Sequence, residues 1–201
     1  MTSEAFSREL LELYQGGVIG EVLFDGLLAY FDDPTQRYKI AVMLQLETET
    51  KARLRPALME MNLDLAEDHQ SRTLGREMAE SPMGKEWEDV LVALRDVIRP
   101  YVERYKDIAS GAPSEFRAIA ESMVTHERSL YDFTELELAG DTVHSVDAIV
   151  AQLRFPLPSG RSRGSTDSYR SISGSLCRND DTTSCARAIP LRYANGSGEF
   201  S

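Results

Sequence analysis

The sequence predicts an all-α protein, with an antiparallel four-helix bundle over roughly the first 140 residues. Three observations support this fold. Apolar residues recur at three- and four-residue spacing in four long segments, which is the pattern of amphipathic helices. Short turns join the first segment to the second and the third to the fourth, so each pair is expected to form an antiparallel hairpin. A longer, more polar segment separates the two pairs, which predicts one long crossover between helices 2 and 3.

The first hairpin begins with a helix predicted over residues 3–31, whose apolar face includes Val18. The turn Asp32-Asp33-Pro34 ends this helix and starts the next one. An aspartate favours the N-cap position, and proline fits the first position of a helix. Helix 2 is expected to continue to residue 62, with Pro56 bending it or ending it early.

The crossover is predicted over residues 63–85 and contains one short helix at 71–80. A segment of about 20 residues reaches ~65 Å when it is extended, at ~3.3 Å per residue. A helix of about 27 residues is only ~40 Å long. The crossover can therefore run the full length of the bundle.

The second hairpin is expected to start at Ser81-Pro82 with helix 3, which ends near residue 109. Pro100 lies inside this helix and should kink it, because proline cannot donate the helical hydrogen bond. Helix 4 is predicted over residues 114–140, where Gly140 is a natural C-terminal cap. A last short helix is expected over residues 145–153.

Residues 1–153 are therefore interpreted as one domain, and residues 154–201 as a tail. The tail is rich in Ser, Gly and Arg and has no apolar periodicity, which is typical of disorder. It ends in Gly-Ser-Gly-Glu-Phe-Ser, so it is either derived from a cloning vector or a natural basic segment for an acidic partner. The two cysteines, Cys177 and Cys185, lie in this tail, and their spacing fits neither a zinc site nor a redox pair.

Charge and hydropathy argue against several classes of protein. The formal net charge is −11, and the tail carries seven Arg against four acids, which leaves 15 basic and 29 acidic residues elsewhere. A surface this acidic repels a phosphate backbone, so no nucleic-acid partner is expected. No apolar run approaches the ~18–20 residues that span a bilayer, so no membrane partner is expected. Because the N-terminus lacks the pattern of a secretory signal, a cytoplasmic location is predicted.

Four polar residues lie on the apolar faces of the predicted helices, near the middle height of the bundle. Neighbouring buried carboxylates repel each other unless a proton or a cation lies between them. A divalent metal satisfies such a cluster, and carboxylate oxygens with an imidazole suit iron or manganese. The sequence therefore predicts four metal ligands, with Tyr38, Thr50 and Tyr101 supporting them. The ligands are Glu21, Glu47, His126 and Glu127.

Three glycines, Gly16, Gly17 and Gly20, surround the first of these acids, although each costs helix 1 about 1 kcal/mol relative to Ala. They either allow a neighbouring helix to approach closely or leave room for a ligand beside the carboxylate. Glu49 points away from the cluster, and we expect it to pair with Arg53.

Three segments resemble the ferritin-like superfamily, which includes ferritins, rubrerythrins and carboxylate-bridged di-iron oxygenases. They are Gly-Gly-Val-Ile-Gly-Glu21, Leu-Glu47-Thr-Glu49-Thr and Thr-His126-Glu127-Arg, within residues 5–140. The resemblance implies that Glu21 and Glu47 are iron ligands of the first hairpin, and that His126 and Glu127 belong to those of the second. Bound iron, in a di-iron centre in this superfamily, would then activate dioxygen or peroxide. The Glu-x-x-His motifs of the superfamily are absent, which implies an altered ligand set.

Two functions remain open at this point. The first is a metal-dependent oxidoreductase or oxygenase of ferritin-like type that acts on a small-molecule substrate. The second is a non-enzymatic interaction or small-molecule-binding protein, in which the buried acids bind tyrosines or Thr50 and His126 is a core histidine. Metal-free acid–base catalysis by a glutamate of raised pKa is a third reading, with no clue to a substrate. An acidic amphipathic bundle with exposed apolar positions is also compatible with a homodimer.

Overall fold

The structure is a computed structural model that describes residues 3–158. The regular secondary structure of these residues is helical throughout, with no strand among them, so the predicted all-α class is confirmed. The tail beyond residue 158, with its predicted disorder and both cysteines, lies outside the described residues. The helices are α1 (Ser3–Tyr30), α2 (Pro34–Glu60), α3 (His69–Glu80), α4 (Trp87–Gly111), α5 (Arg117–Leu138) and α6 (Asp147–Val150).

Hydrogen bonds between neighbouring residues mark the end of α1 and the start of α2, as predicted. The Asp33 carboxylate accepts hydrogen bonds from the backbone N–H groups of Thr35 and Gln36, both at 2.9 Å. These bonds satisfy two of the donors that every helix N-terminus leaves free. At the end of α1, Arg37 donates to the carbonyls of Leu28 and Phe31. The turn is therefore held by side chains from both sides.

The second hairpin starts later than predicted. Helix α4 begins at Trp87, because Pro82 lies in a turn in which the N–H of Lys85 donates to the Pro82 carbonyl at 2.9 Å. Gly84 follows in the left-handed region, at a φ of 79°, where glycine is favoured. Neither internal proline ends its helix: α2 continues past Pro56 to Glu60, and α4 continues past Pro100 to Gly111.

Gly140 ends α5 as predicted. Its φ is 86°, and its N–H donates to the carbonyl of Glu137 at 3.0 Å. The next N–H, of Asp141, donates to the carbonyl of Leu136 at 2.9 Å. This pair of bonds is the Schellman arrangement, which satisfies the last carbonyls of the helix.

Helices α1 and α2 pack in antiparallel order, since Gly20 lies against Glu47 and Gly17 against Lys51. Helix α4 packs on α5, and α2 also contacts α5, while α6 lies on α5 and α2. A buried ion pair between Lys39 and Glu137 joins α2 to α5. These contacts place residues from distant parts of the sequence around one core.

The buried apolar side chains form two clusters, one at each end of the long helices. One cluster contains Phe24, Leu46 and Leu130, and the other contains Val18 and Leu54, with further members from the same helices in each. Where the two clusters meet, α2, α4 and α5 contribute buried residues with polar groups. We call this region the polar layer, and its members are Glu47, Thr50, Tyr105, His126 and Glu127.

Helix α3 packs along α1 through small residues. A methyl carbon placed on Gly75 would lie 2.8 Å from the carbonyl oxygen of Ile19, and one placed on Gly26 would lie 2.6 Å from Cβ of Ala79. The two backbones can approach this closely only because these side chains are absent or small. Among the helices of residues 3–158, none is both long enough and apolar enough to cross a membrane.

Candidate functional site

The centre of the polar layer is an ion pair between α2 and α5. His126 Nε2 lies 3.3 Å from Glu47 Oε1, and both side chains are almost completely buried. The other ring nitrogen, Nδ1, lies 3.0 Å from Thr50 Oγ1. Arg53 donates to the same hydroxyl oxygen at 3.0 Å. The histidine is therefore held from both ring nitrogens, in a position that allows it to balance the charge of Glu47.

The glycines of α1 make room for this layer. A methyl carbon on Gly20 would lie 2.5 Å from the carboxyl carbon of Glu47, and one on Gly16 would lie 2.5 Å from the Tyr105 hydroxyl oxygen. Both distances are well inside van der Waals contact. These two glycines are thus explained by the close approach of polar side chains from the neighbouring helices. Close approach was one of the two alternatives that the sequence left open.

Burial and neighbouring charges shift three pKa values in the layer. Burial raises the pKa of Glu127 to about 7, and the charge of Glu47 adds to this effect against the opposing effect of His126. Burial alone would lower the pKa of His126, but Glu47 and Glu127 outweigh it, and the pKa lies above its usual value. Burial, followed by the charges of Glu127 and Glu47, raises the pKa of Tyr105.

A cavity with a volume of about 90 Å³ opens beside the polar layer. Glu47, His126, Glu127 and Tyr105 line one part of it. The rest of the wall is apolar or glycine, apart from Tyr101, and comes from α1, α3, α4 and α5. These wall residues include Ile19, Leu23, Phe24, Leu74, Met78, Leu94, Val97, Ile98 and Leu130.

The mouth of the cavity lies between α3 and α4. Leu74 of α3 is 41% exposed, and Val97 and Tyr101 of α4 are each 40% exposed, although all three line the cavity. Helix α3 packs on α1 and leaves this side of α4 open. Helix α3 thus forms one edge of the cavity, opposite the exposed residues of α4.

Glu21 does not join the polar layer, which corrects the prediction that it is buried with the other three residues. Its side chain is 25% exposed and forms an ion pair with Lys51. Thr48 also donates to Glu21 Oε1 at 2.7 Å. Lys51 forms a second ion pair, with Glu67 of the crossover. Helical periodicity placed Glu21 on the buried stripe, but it lies at the edge of that stripe, where the ammonium group of α2 reaches it.

The three residues predicted to support the metal ligands lie in different parts of the structure. Thr50 contacts His126, and Tyr101 lines the mouth of the cavity, whereas Tyr38 packs against the apolar cluster at one end and does not line the cavity. Tyr105 belongs to the layer, although its helical spacing indicated only a core residue. The signal that points to it is Gly16, because the opposing glycine accommodates its hydroxyl group.

Glu49 also differs from the expectation of an ion pair with Arg53. Its carboxylate accepts the backbone N–H groups of Arg154 and Phe155, at 2.6 and 3.0 Å. Gln45 donates to it as well, at 2.8 Å. Burial raises the pKa of this carboxyl, but the three hydrogen bonds outweigh it and the pKa lies below its usual value. Glu49 therefore anchors the chain after α6 to α2.

Three of the four predicted metal ligands already have partners within the chain. Glu21 is bound by Lys51, and both nitrogens of His126 already have partners in Thr50 and Glu47. Among residues 3–158, no group of three or more His, Cys, Asp or Glu side chains is arranged to hold a metal ion. Neighbouring buried carboxylates need positive charge nearby, and the chain itself can supply it. The Lys51 ammonium lies beside Glu21, and the His126 ring, whose pKa is raised, lies beside Glu47.

Comparison of the chain with protein-family models, with curated proteins and with solved structures finds no match. The resemblance to the ferritin-like superfamily therefore stays a prediction.

Proposed function

We propose that α1, α2, α4 and α5 form an antiparallel four-helix bundle of ferritin-like type, with α3 in the crossover. Support comes from the three-residue turn between α1 and α2, from the packing of α4 on α5, and from the long connection that carries α3. In such bundles, ligand sites lie in the core between facing helices. The polar layer has this location.

The function that the geometry supports best is the binding of a small molecule in the cavity beside the polar layer. One observation carries this proposal: a largely apolar cavity has a few polar groups gathered at one part of its wall, where Glu127 and Tyr105 have shifted pKa values. Small-molecule sites are typically concave and apolar, with a few converging polar groups that orient the ligand. Buried ionisable groups with perturbed pKa values also concentrate at functional sites.

A metal-dependent oxidoreductase using iron or manganese is the competing function. Its ligands would be drawn from Glu47, His126 and Glu127, since Glu21 is bound by Lys51. It predicts stoichiometric iron or manganese after anaerobic reconstitution and loss of that metal in Glu47→Ala. The small-molecule proposal predicts instead a folded protein that retains no stoichiometric metal, because the protein's own cations already pair with the first-hairpin acids.

Acid–base catalysis on the bound molecule is a second candidate, and the pKa of Glu127 favours it. A carboxyl with a pKa of about 7 is present in both protonation states at neutral pH, which suits proton transfer. Glu127 lines the cavity, so a molecule bound there can come within its reach. This candidate requires turnover that follows the ionisation of Glu127 and is lost in Glu127→Gln without loss of ligand binding.

The binding proposal is tested with a neutral probe, 1-hexanol, and a pair of matched variants. Val97 lines the cavity mouth, whereas Val92 is also on α4 and similarly exposed but does not line the cavity. Tryptophan at Val97 covers or fills the entrance and is expected to weaken hexanol binding by at least about ten-fold, measured by calorimetry. Val92→Trp should bind as the unaltered protein does. Equal binding by both variants, or no binding by the unaltered protein, would refute the proposal.

A further inference from the structure

We propose that the molecule bound in this cavity is an amine: an elongated apolar group that carries one protonated nitrogen. This inference rests on the proposed small-molecule function and adds the charge and shape of the ligand. It follows from the polar atoms of the cavity wall, from the aromatic rings beside them, and from the form of the apolar space.

The carboxyl groups of the wall lack cationic partners for their remaining oxygens. Glu47 uses Oε1 to contact His126, but its Oε2 is buried and has no hydrogen-bond partner among the residues that the structure describes. A buried acceptor left unpaired is unfavourable, because it has lost its hydrogen bonds to water without gaining others. Glu127 lines the cavity beside it and is buried with the charge of Glu47 nearby. An ammonium group of a ligand would supply the donors that both carboxyl groups can accept.

The nearby cations of the chain are already engaged elsewhere. None of the residues lining the cavity, all within the described part of the chain, is Lys or Arg. Lys51 is held by Glu21 and Glu67, while Arg53 donates to Thr50. The remaining basic group of the wall, the His126 ring, is engaged at both nitrogens by Glu47 and Thr50. A ligand with a carboxylate or phosphate group would thus meet carboxyl groups and no unengaged cation among the described residues that line the cavity.

Aromatic rings flank the carboxyl groups. Tyr101 and Tyr105 line the cavity and meet edge to face, with their ring centroids 6.1 Å apart, and Phe24 lines the cavity as well. The faces of aromatic rings attract ammonium groups, most strongly where water is excluded. This composition favours a positively charged group over a neutral one of the same size.

A second cavity of about 90 Å³ lies next to the first, and no residue of the polar layer lines it. Leu23, Met78, Leu94 and Val97 line both cavities, and the second extends towards Pro82. Its wall contains no charged side chain among the residues described. A cavity of roughly 150 Å³ accommodates benzene, so the two spaces together suit an apolar group of about six carbons. The amine end would lie at the polar layer and the apolar end towards Pro82.

The test compares three probes of equal chain length on the full 201-residue protein: hexylamine, 1-hexanol and hexanoate. We expect hexylamine to bind at least about ten-fold more tightly than hexanol, because a charged hydrogen bond exceeds a neutral one. Hexanoate should bind more weakly than hexanol. Calorimetric titration at constant ionic strength measures all three at about pH 8, above the pKa of Glu127 of about 7, so that this carboxyl is mostly ionised.

Two variants separate the site from the overall negative charge of the protein. Glu127→Gln should reduce the advantage of hexylamine over hexanol to less than about three-fold, because it removes one acceptor charge at the same size. Asp25→Asn makes the same charge change at an exposed position of α1 outside the cavity and should leave the advantage intact.

The outcomes distinguish the two proposals. If hexanol binds but hexylamine binds no better, the amine inference fails while small-molecule binding stands. If hexanoate binds most tightly, the inference also fails. If none of the three probes binds, the proposed function fails together with the inference. An equal loss of amine preference in Asp25→Asn and Glu127→Gln would show general charge attraction and would overturn the site assignment.

Discussion

Replacing Gly20 by alanine tests whether α1 sacrifices helix stability to admit the Glu47 carboxylate. In a helix interior that is free of contacts, a Gly→Ala change stabilises by about 1 kcal/mol. Here the new methyl carbon would lie 2.5 Å from the carboxyl carbon of Glu47 and 3.0 Å from its Cγ. The carboxylate must move, and the 3.3 Å contact with His126 must lengthen or break.

The cost of this movement can be built from two contributions. A side chain forced away from its rotamer costs about 0.5–1.5 kcal/mol. A buried polar group that loses its partner costs about 1–3 kcal/mol. After the gain in helix propensity of about 1 kcal/mol is subtracted, Gly20→Ala should destabilise the protein by about 0.5–3.5 kcal/mol.

A double-mutant cycle provides the control. In a Glu47→Ala background the three nearest atoms that the methyl group would meet are absent, since all of them belong to the Glu47 side chain. Gly20→Ala should then stabilise by about 1 kcal/mol, which gives a coupling free energy of about 1.5–4.5 kcal/mol. Urea unfolding at unchanged m-value measures each corner of the cycle. The reasoning is refuted if Gly20→Ala stabilises the unaltered protein, or if its effect is the same in both backgrounds.

Two further predictions concern buried charges. Lys39→Met leaves the Glu137 carboxylate buried without its cation and should cost about 3–5 kcal/mol in urea unfolding. The double variant Lys39→Met, Glu137→Gln should recover most of this loss. Trp87 Nε1 donates to the Glu137 carboxylate at 3.1 Å, and the amide oxygen of the variant can still accept this bond. An equal loss in the single and the double variant would contradict the pairing. The pKa of Glu127 rises from 4.5 to about 7 on folding, so the folded state binds this proton more tightly. The free energy of unfolding should therefore fall by up to about 3 kcal/mol as pH rises through that window, and Glu127→Gln should remove that slope. The raised pKa of His126 also lowers the free energy of unfolding as pH rises, but only from about pH 6.5 upward. If the free energy of unfolding of Glu127→Gln falls between pH 4.5 and 6.5 as steeply as that of the unaltered protein, Glu127 is not protonated in the folded state.

The sequence predicted the helices well where their ends depend on neighbours in the chain. Asp33 caps α2 and Gly140 ends α5 because both use hydrogen bonds to residues within a few positions. The predicted start of α4 was wrong, since Pro82 fits a turn as well as it fits the first position of a helix. Choosing between the two depends on where the chain must run after α3, which is not a local property.

The candidate site was predicted in part. The sequence placed Glu47 and His126 on apolar helix faces near the middle height of the bundle, and the structure brings them together. Helical periodicity could not decide the position of Glu21, because a residue at the edge of the buried stripe turns inward or outward according to its neighbours. Lys51 attracts its carboxylate to the rim of the protein, and no short-range pattern connects residues 30 positions apart.

The sequence by itself determined the helical class, most helix ends, and the presence of polar residues at mid-height in an otherwise apolar core. These features follow from interactions within about one helical turn, which neighbouring residues specify. The tertiary structure alone decided which cation balances each acid, that Gly16 and Gly20 admit side chains of other helices, and that a cavity opens beside Glu127. Those features depend on the packing of several helices at once, since an ion pair or a cavity exists only after distant segments are brought within a few ångströms.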